Sequence, residues 1–331
     1  MTEYKGVLVY GEMAEGKLAG ITLELLGWGR KLSDALGQEL SAVLVGSGAG
    51  SLAQTAITYG ADKVYVIDSP VLAEYQTDTQ VAAAEKVARQ AMPQIILLGQ
   101  TALGRDVAPR LAFRLGTAAN LDCLDLAIDP ESKQLRQTKP VYGGNAQAVY
   151  VTKTYPQLAT VRAKMISPPP PSDSRKGEVI PVEFSLDASA IKSKVLERVA
   201  APAEELRLED AKVIVSGGRG IGSADGFKQL GELAKLLKGA VGASRPACDS
   251  GWVPSNLQIG LTGRMVSPDL YIAVGISGAS QHISGISASK TIVAINKNAE
   301  ANIFQEARYG VVDDWKKVLP PFIAKIKELM S

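Results

Sequence analysis

The first half of the chain alternates short apolar runs with stretches of helical periodicity, and this alternation restricts the possible folds more than any other feature. Four runs are apolar enough for strands buried on both faces: Val7–Tyr10, Ala42–Val45, Val64–Ile67 and Ile95–Leu98. Stretches with helical spacing follow them: Ile21–Leu36, Ser51–Tyr59, Thr79–Met92 and Arg105–Leu115. Strands that alternate with helices form a parallel sheet covered on both faces, so we expect a doubly wound α/β domain.

The alternation gives way to consecutive strands beyond Leu121. Runs at Leu121–Ile128, Ala146–Thr152 and Ala159–Val161 predict an antiparallel extension of the sheet. Lys176–Leu186 is a candidate for one more strand.

A proline-rich stretch and a charged segment mark the limit of this first domain. Ser167–Ser174 is stiff and polar, which is typical of a boundary or a surface excursion. Residues 189–210 are charged and helix-like, interrupted by Pro202, and we expect them to be a connector. The predicted domains are therefore 1–188 and 211–331.

Residues 211–331 repeat the alternation on a smaller scale. Strand-like segments recur along them: Lys212–Val215, Ala240–Ser244, Leu257–Gly260, Asp269–Val274, Thr291–Ile295 and Gly310–Val312. Helical spacing fits Gly226–Leu237 and Trp315–Leu329. The expected fold class is α/β with two doubly wound domains, of which the first carries the antiparallel extension.

Composition excludes several classes of function. A net charge of +2 from 36 basic and 34 acidic residues, with 5% aromatic residues, argues against nucleic-acid binding. Cys123 and Cys248 form no CxxC motif and His282 is the single histidine, so we expect no metal site. No apolar run approaches the ~20 residues of a membrane helix, and Gly6–Tyr10 is already strand-like. We therefore expect no membrane insertion and no targeting segment, so that the protein is either cytoplasmic or represented by its mature sequence.

One glycine-rich turn has some features of a dinucleotide-binding fingerprint. Val45–Gly50 follows a predicted strand, and Asp68 lies about twenty residues further on. Ser51, however, occupies the position at which the G-x-G-x-x-G pattern requires its third glycine. A tight strand-to-helix turn explains the segment as well as a nucleotide contact does.

Loops at the strand ends of the second domain carry the residues most suited to a ligand, because open α/β sheets bind ligands there. These loops are rich in Gly, Ser, Thr, Arg, Asn and His: Ser216–Gly222, Ser244–Arg245, Leu261–Arg264, Gly275–His282 and Asn296–Asn298. Glycines allow close approach to the backbone and free amides suit anions, which predicts a large polar ligand with a diphosphate. His282 adds a group that can hold a proton or a charge near neutral pH. No nucleophile–base pair is evident, so the sequence gives no support to hydrolytic catalysis.

Motifs in the second domain resemble those of the electron-transfer flavoprotein alpha subunit. The matching segments occur in order: Ser216–Gly220, Val241–Arg245, Thr262–Gly263, Leu270–Ala279, Gln281–His282 and Ser289–Lys297. The first domain is similar to that family's N-terminal α/β domain through weaker motifs. The resemblance implies that the C-terminal parallel sheet binds FAD.

The resemblance also implies a heterodimer with a beta subunit that carries electrons and is not a stand-alone enzyme. Its donors would be acyl-CoA dehydrogenases, as in fatty acid beta-oxidation, or other flavin dehydrogenases, and its acceptor a membrane quinone oxidoreductase. An alternative is an electron-bifurcating relative that oxidises NADH and reduces ferredoxin and an acyl-CoA dehydrogenase. A third hypothesis, a nucleotide-binding regulator without redox chemistry, predicts a colourless protein.

The family's FAD-contacting positions correspond to residues spread over the strand-end loops. These are Arg219, Ser244, Arg245, Ile259, Gly260, Leu261, Thr262, Ser277, Gly278, Ala279, Ser280, Gln281, His282, Asn296, Asp314 and Trp315. By resemblance, Thr262 would hydrogen-bond flavin N5, His282 would face flavin O2, and Arg245 would lie over the isoalloxazine ring. Asn296 and Asp314 would serve the adenosine end.

Two residues depart from the family pattern. Leu261 stands where a polar residue, often glutamine, is expected before Thr262, which would remove a polar contact near the flavin. Pro246 follows Arg245 where a small residue is common, and it would stiffen that loop. Cys248 fits the role of a small buried hydrophobe better than that of a reactive thiol.

Overall fold

The computed structural model describes residues 4–144, 146–186, 191, 193, 195–197 and 206–330. It divides the chain into two compact units, 1–140 with 147–198 and 141–146 with 199–331. The predicted domain limits remain predictions, because the predicted connector lies largely outside the described residues. In the part of the chain that is described, no helix combines the length and apolar character that crossing a membrane requires.

The first unit contains the four buried strands that its apolar runs predicted, together with strands that were not predicted, such as Met13–Ala14, Lys17–Leu18 and Leu135–Val141. The strands are β1 Val7–Gly11, β2 Met13–Ala14, β3 Lys17–Leu18, β4 Leu40–Gly46, β5 Lys63–Asp68, β6 Ile95–Gly99, β7 Ala119–Cys123, β8 Asp125–Ile128, β9 Leu135–Val141, β10 Ala146–Val151, β11 Gln157–Val161 and β12 Glu178–Pro181. The helices are α1 Gly20–Leu36, α2 Ala53–Thr58, α3 Thr77–Ala91 and α4 Ala102–Arg114. The main sheet has the order β12-β5-β4-β1-β6-β11-β7 with parallel neighbours, which confirms the predicted α/β class.

The antiparallel part of the fold is a separate sheet with the order β10-β9-β8, in which β8 and β9 run antiparallel. Its presence confirms the predicted antiparallel component, but residues 121–123 lie in β7 of the main parallel sheet, and the assignment of Ala159–Val161 was also wrong. That run lies in β11, which pairs in parallel with β6 and β7. Every residue of β11 is buried, as expected for an inner strand with both faces covered.

Helices cover both faces of the main sheet because successive strand residues point in opposite directions. Val7 and Val9 of β1 pack with residues of α1 and α2 on one face. Leu8 and Tyr10 pack with residues of α3 and α4 on the other face. A strand in this position needs apolar residues at every position, which is the pattern that the sequence shows.

Three buried glutamines attach the chain around β9 to the main sheet. The Gln137 side chain donates to the carbonyl of Leu158 at 2.9 Å, and the Gln157 side chain accepts the N–H of Leu135 at 2.8 Å. Gln94 donates to a carbonyl of the turn before β9 at 2.7 Å. Amide side chains both donate and accept, so they satisfy backbone groups that lack a strand partner.

Asp68 closes the glycine-rich turn after β4. Its two carboxylate oxygens accept the backbone N–H groups of Gly48 at 2.8 Å and of Gly50 at 3.1 Å. The acidic residue of the apparent fingerprint therefore serves the turn itself. This contact favours the tight-turn interpretation over a nucleotide contact.

We expect Asp68→Ala to lower the free energy of unfolding of the first unit by about 1 kcal/mol, because two hydrogen bonds in an exposed turn are lost. FAD content should stay at the wild-type level. Chemical denaturation with parallel flavin quantification measures both quantities, and Asp68→Asn, which keeps one acceptor oxygen, should lose less stability. A variant that keeps its stability and loses flavin would contradict the structural role.

The second unit has the same architecture on a smaller scale. Its strands are β13 Val213–Gly217, β14 Ala240–Ala243, β15 Leu270–Val274, β16 Ile292–Ile295 and β17 Tyr309–Val311. Its helices are α5 Gly226–Leu236, α6 Arg245–Asp249, α7 Ser280–Ile286, α8 Ile303–Glu306 and α9 Trp315–Met330. The sheet order is β14-β13-β15-β16-β17 with parallel neighbours. The chain leaves β13 toward β14 on one side and returns to β15 on the other, which opens a crevice at the carboxyl ends of these strands.

The strand predicted at Leu257–Gly260 was wrong. Isolated bridges join Gln258 to Ala243 and Ile259 to Arg264, and no ladder extends from them. Gly260 has a φ of 140°, a conformation that only glycine adopts readily, and the chain turns back there. The segment 258–264 is therefore a compact turn, referred to below as the rim turn.

Candidate functional site

A cleft of about 580 Å³ lies at the carboxyl ends of the strands of the second unit, within the size range of small-ligand sites. Most of the predicted site residues line it: Arg219, Ser244, Arg245, Ile259, Gly260, Leu261, Thr262, Ser277, Ala279, Gln281, His282 and Asn296. Other lining residues were not among the predicted site residues: Gly220, Pro246, Gln258, Gly275, Ile276, Asn298 and Ala301. Gln258 and Ala301 are the clearest omissions, because neither lies in a loop that the residue types marked as ligand-binding.

The floor of the cleft is formed where the loops after β13 and β15 cross. Gly218 donates its N–H to the carbonyl of Val274 at 2.9 Å, and Gly220 donates to the carbonyl of Gly275 at 3.0 Å. A Cβ atom on Gly218 would lie 2.2 Å from the Gly275 carbonyl oxygen. Gly275 itself has a φ of 63°. Glycines are required here because the two backbones touch, and the same feature lets a ligand approach the backbone.

Backbone amides of the loop before α7 provide donors to the cleft. The N–H groups of Ser277, Ala279 and Gln281 donate to no acceptor among the described residues. Gly278 is outside the cleft lining and packs against Ile303, since a Cβ on it would lie 2.2 Å from the Ile303 backbone nitrogen. Ser280 begins α7 and is exposed outside the cleft lining. Amides left unpaired in a concave site are suited to the oxygens of a phosphate.

His282 is buried beneath the cleft with both ring nitrogens engaged. Its Nδ1 lies 3.0 Å from the carbonyl oxygen of Ile259, and its Nε2 lies 2.8 Å from the hydroxyl of Tyr271. A carbonyl only accepts, so Nδ1 carries the proton in the neutral ring and Nε2 accepts from Tyr271. The imidazole therefore ties α7, β15 and the rim turn together.

Burial lowers the pKa of His282 to about 4, although the bond to the Ile259 carbonyl acts in the opposite direction. Of the proton or charge that this ring was expected to hold near neutral pH, it therefore holds the proton on Nδ1 and no charge. Desolvation destabilises the imidazolium cation, and this effect is larger than the stabilisation that the single hydrogen bond to the Ile259 carbonyl provides. Its predicted position facing flavin O2 remains a prediction.

The pKa of His282 makes the second unit sensitive to acid. In the unfolded chain His282 has a pKa near 6.5 and binds a proton below that pH, whereas in the folded chain it stays neutral down to about pH 4. The free energy of unfolding should therefore fall by about 3 kcal/mol as pH drops through this range, with no loss above it. Urea unfolding of the wild type and of His282→Gln across these pH values tests this. Parallel pH profiles in the two proteins would contradict it.

Arg219 and Arg245 bring positive charge to the cleft. Arg219 follows Gly218 in the glycine floor, and Arg245 is the first residue of α6. Arg245 Nε lies 3.3 Å from the Asp249 carboxylate one turn along the helix. Pro246 occupies the first turn of α6, where its fixed φ suits the helix, and the expected stiffening of the loop remains a prediction.

Other predicted residues hold the loops of the cleft in place. Asn296 donates its side-chain amide to the carbonyl of Ile276 at 2.8 Å and so joins the loops after β15 and β16. Asp314 accepts the N–H of Lys316 at 2.9 Å where α9 begins. Trp315 donates its indole N–H to the carbonyl of Gly220 at 3.1 Å and supports the glycine floor. Asp314 and Trp315 lie outside the cleft lining, and their contact with a ligand remains a prediction.

The walls and donors of the cleft fit a nucleotide cofactor with an extended ring system. The unpaired amides and the two arginines suit a diphosphate, and Ile259, Leu261 and Ala279 offer apolar surface to a ring. The fold and the site thus define an α/β protein with a cleft suited to a nucleotide cofactor at the carboxyl edge of its second sheet.

The chain belongs to the electron transfer flavoprotein alpha subunit family. Residues 7–187 match the family model described as "Electron transfer flavoprotein domain", and residues 207–287 match "Electron transfer flavoprotein FAD-binding domain". The alpha subunit from Thermoanaerobacterium thermosaccharolyticum is 45% identical, with 99% of this chain and 100% of the relative covered. Protein FixB from Clostridium saccharobutylicum is 42% identical over 100% and 99% of the two chains. The predicted FAD cofactor is therefore confirmed, and the chain has the role of an electron-transfer flavoprotein.

Comparison with solved structures adds little. A putative thiamin diphosphate-dependent enzyme from Mycobacterium smegmatis aligns with 14% identity and a TM-score of 0.22, over 91% of this chain and 54% of that one. The glycosyltransferase SnogD from Streptomyces nogalater gives a TM-score of 0.26 at 11% identity, over 98% of this chain and 94% of that one. Similarity at this level carries no argument about either fold or function.

Proposed function

We propose that this chain is the alpha subunit of a cytoplasmic heterodimer, which holds FAD in the cleft of its second unit and passes electrons between flavin dehydrogenases and a downstream acceptor. The observation that carries the proposal is the position of the cleft. Its floor, its unpaired amides and its rim turn belong to the segment that matches the FAD-binding domain of the family.

Bound FAD supplies the redox chemistry, and the residues of the chain bind and orient it. Arg219 and the amides around Ser277 hold the diphosphate, while the rim turn and Arg245 hold the ring system. The glycine floor brings the backbone close to the ligand. Fixed donors of this kind are already oriented before charge develops on the ligand, so they need little reorganisation.

The proposed partners are a beta subunit, an acyl-CoA or other flavin dehydrogenase as donor, and a quinone oxidoreductase as acceptor. Relatives that are electron transfer flavoprotein alpha subunits support an alpha subunit that works with a second chain. The bifurcating alternative, with NADH and ferredoxin, differs in the number of flavins that the heterodimer holds.

Co-expression with the beta subunit, followed by flavin quantification and reduction assays, tests the proposal. The electron-carrier function is supported if the heterodimer holds one FAD and if an acyl-CoA dehydrogenase with its substrate reduces that FAD rapidly. Two flavins and direct reduction by NADH support the bifurcating alternative. A heterodimer without flavin, or an alpha chain that does not pair, contradicts the proposal.

A further inference from the structure

We propose that Gln258 is a positioning residue for Thr262. Its side-chain amide donates to the Thr262 hydroxyl oxygen and leaves the hydroxyl proton directed into the cleft, toward an acceptor atom of the flavin ring. The inference rests on the proposed function only for the identity of the ligand.

The contact joins two side chains that both line the cleft. Gln258 Nε2 lies 3.0 Å from Thr262 Oγ1. The Thr262 hydroxyl donates to no acceptor in the part of the chain that the structure describes. Its proton is therefore available to a ligand.

The backbone of the rim turn fixes the distance between these residues. Arg264 donates its N–H to the Gln258 carbonyl at 2.8 Å, and Gly263 donates to the Gly260 carbonyl at 3.0 Å. A Cβ on Gly263 would lie 2.4 Å from the Gln258 carbonyl oxygen, so the turn closes tightly.

Neighbouring elements hold the rim turn from outside. Ile259 donates its N–H to the Ala243 carbonyl at 2.8 Å, and Leu261 donates to the Gln281 carbonyl at 2.7 Å. The Thr262 hydroxyl therefore has a defined position relative to the floor of the cleft, and the remaining freedom is the direction of its O–H bond.

The chemistry of the two groups determines that direction. An amide NH₂ donates and cannot accept, whereas a hydroxyl has one proton and two lone pairs. With one lone pair engaged by Gln258, the proton points elsewhere and is a stronger donor, since hydrogen bonds in a chain polarise each other. A carboxylate at position 258 would reverse the polarity, because it accepts and would take the hydroxyl proton away from the cleft.

The test is a double-mutant cycle on the heterodimer with Gln258→Glu and Thr262→Val. The dissociation constant of FAD is measured by fluorescence, and the reduction potential of the bound flavin by spectroelectrochemistry. Gln258→Glu should weaken FAD binding roughly five- to tenfold more in the protein with Thr262 than in the Thr262→Val variant. Only the protein with Thr262 has a hydroxyl whose proton the new carboxylate can draw away from the cleft. Gln258→Met, which has similar length and no hydrogen bond, should give a smaller loss.

The ratio between the two backgrounds decides the outcome. A threefold or larger difference, with a lowered reduction potential in Gln258→Glu alone, supports the positioning role. A smaller difference, or equal effects of Gln258→Glu and Gln258→Met, overturns it. If Gln258→Glu does not fold, the cycle of Gln258→Met with Thr262→Val gives the same comparison. A wild type without FAD would contradict the proposed function, whereas an FAD-loaded wild type without coupling contradicts only this inference.

Discussion

Gly218→Ala is expected to reduce the affinity of the second unit for FAD by roughly five- to a hundredfold. The new methyl group would lie 2.2 Å from the Gly275 carbonyl oxygen, and both atoms belong to the crossing loops of the cleft floor. The two backbones must separate, and overpacking of this kind costs about 1–3 kcal/mol, of which 1.4 kcal/mol corresponds to tenfold in affinity. Gly218 has an extended backbone with a φ of −100°, so alanine itself adopts the conformation without strain.

Fluorescence titration with FAD and a thermal unfolding scan measure the effect of Gly218→Ala. Gly231 gives a matched control, because it lies within α5 and a Cβ there meets no atom within 4 Å. Gly231→Ala should bind FAD normally and gain up to about 1 kcal/mol from helix propensity. Normal FAD binding by Gly218→Ala would show that the loops do not need their close crossing.

Arg245→Ala should lower the first reduction potential of the bound flavin by roughly 60 mV, because a cation near the ring stabilises the negative charge gained on reduction. A contact to a charged group contributes about 1.5–3 kcal/mol, and about 1.4 kcal/mol corresponds to 59 mV for one electron. We expect a contribution at the lower end of this free-energy range, because the Arg245 side chain is 66% exposed and Asp249 offsets part of its charge.

Potentiometric titration of the flavin-loaded protein measures this shift. Asp249→Asn should move the potential in the opposite direction, because it removes the offsetting charge. Arg264→Ala is the control for loss of one positive charge, as Arg264 pairs with Glu209 and does not line the cleft. An unchanged potential in flavin-loaded Arg245→Ala would leave Arg245 with only a loop-anchoring role.

Patterns with a local cause were predictable from the sequence. The fully apolar run of β1 indicated a strand covered on both faces, and Val7 and Leu8 do pack on opposite faces. The loops after β13 and β15 were singled out by their glycines and do line the cleft, because positive φ and close backbone contact restrict the residue type.

Features that depend on long-range contacts were not predictable. The charge of His282 is set by burial against Tyr271 and Ile259, and neither neighbour is marked by spacing. β9 was missed because Arg136, Lys139 and Pro140 interrupt its pattern, and its attachment comes from buried glutamines. The contact of Gln258 with Thr262 depends on the rim turn, which the sequence pattern wrongly predicted as a strand because of its apolar residues.

The bond from Trp315 to the Gly220 carbonyl has a consequence for biosynthesis. The two residues are 95 positions apart, so the glycine floor emerges from the ribosome well before its support exists. At about 5–20 residues per second, this delay lasts roughly 5–20 s. The Gly220 carbonyl therefore lacks this donor while the chain is being made, and the glycine floor has its full support only after the start of α9 has been synthesised.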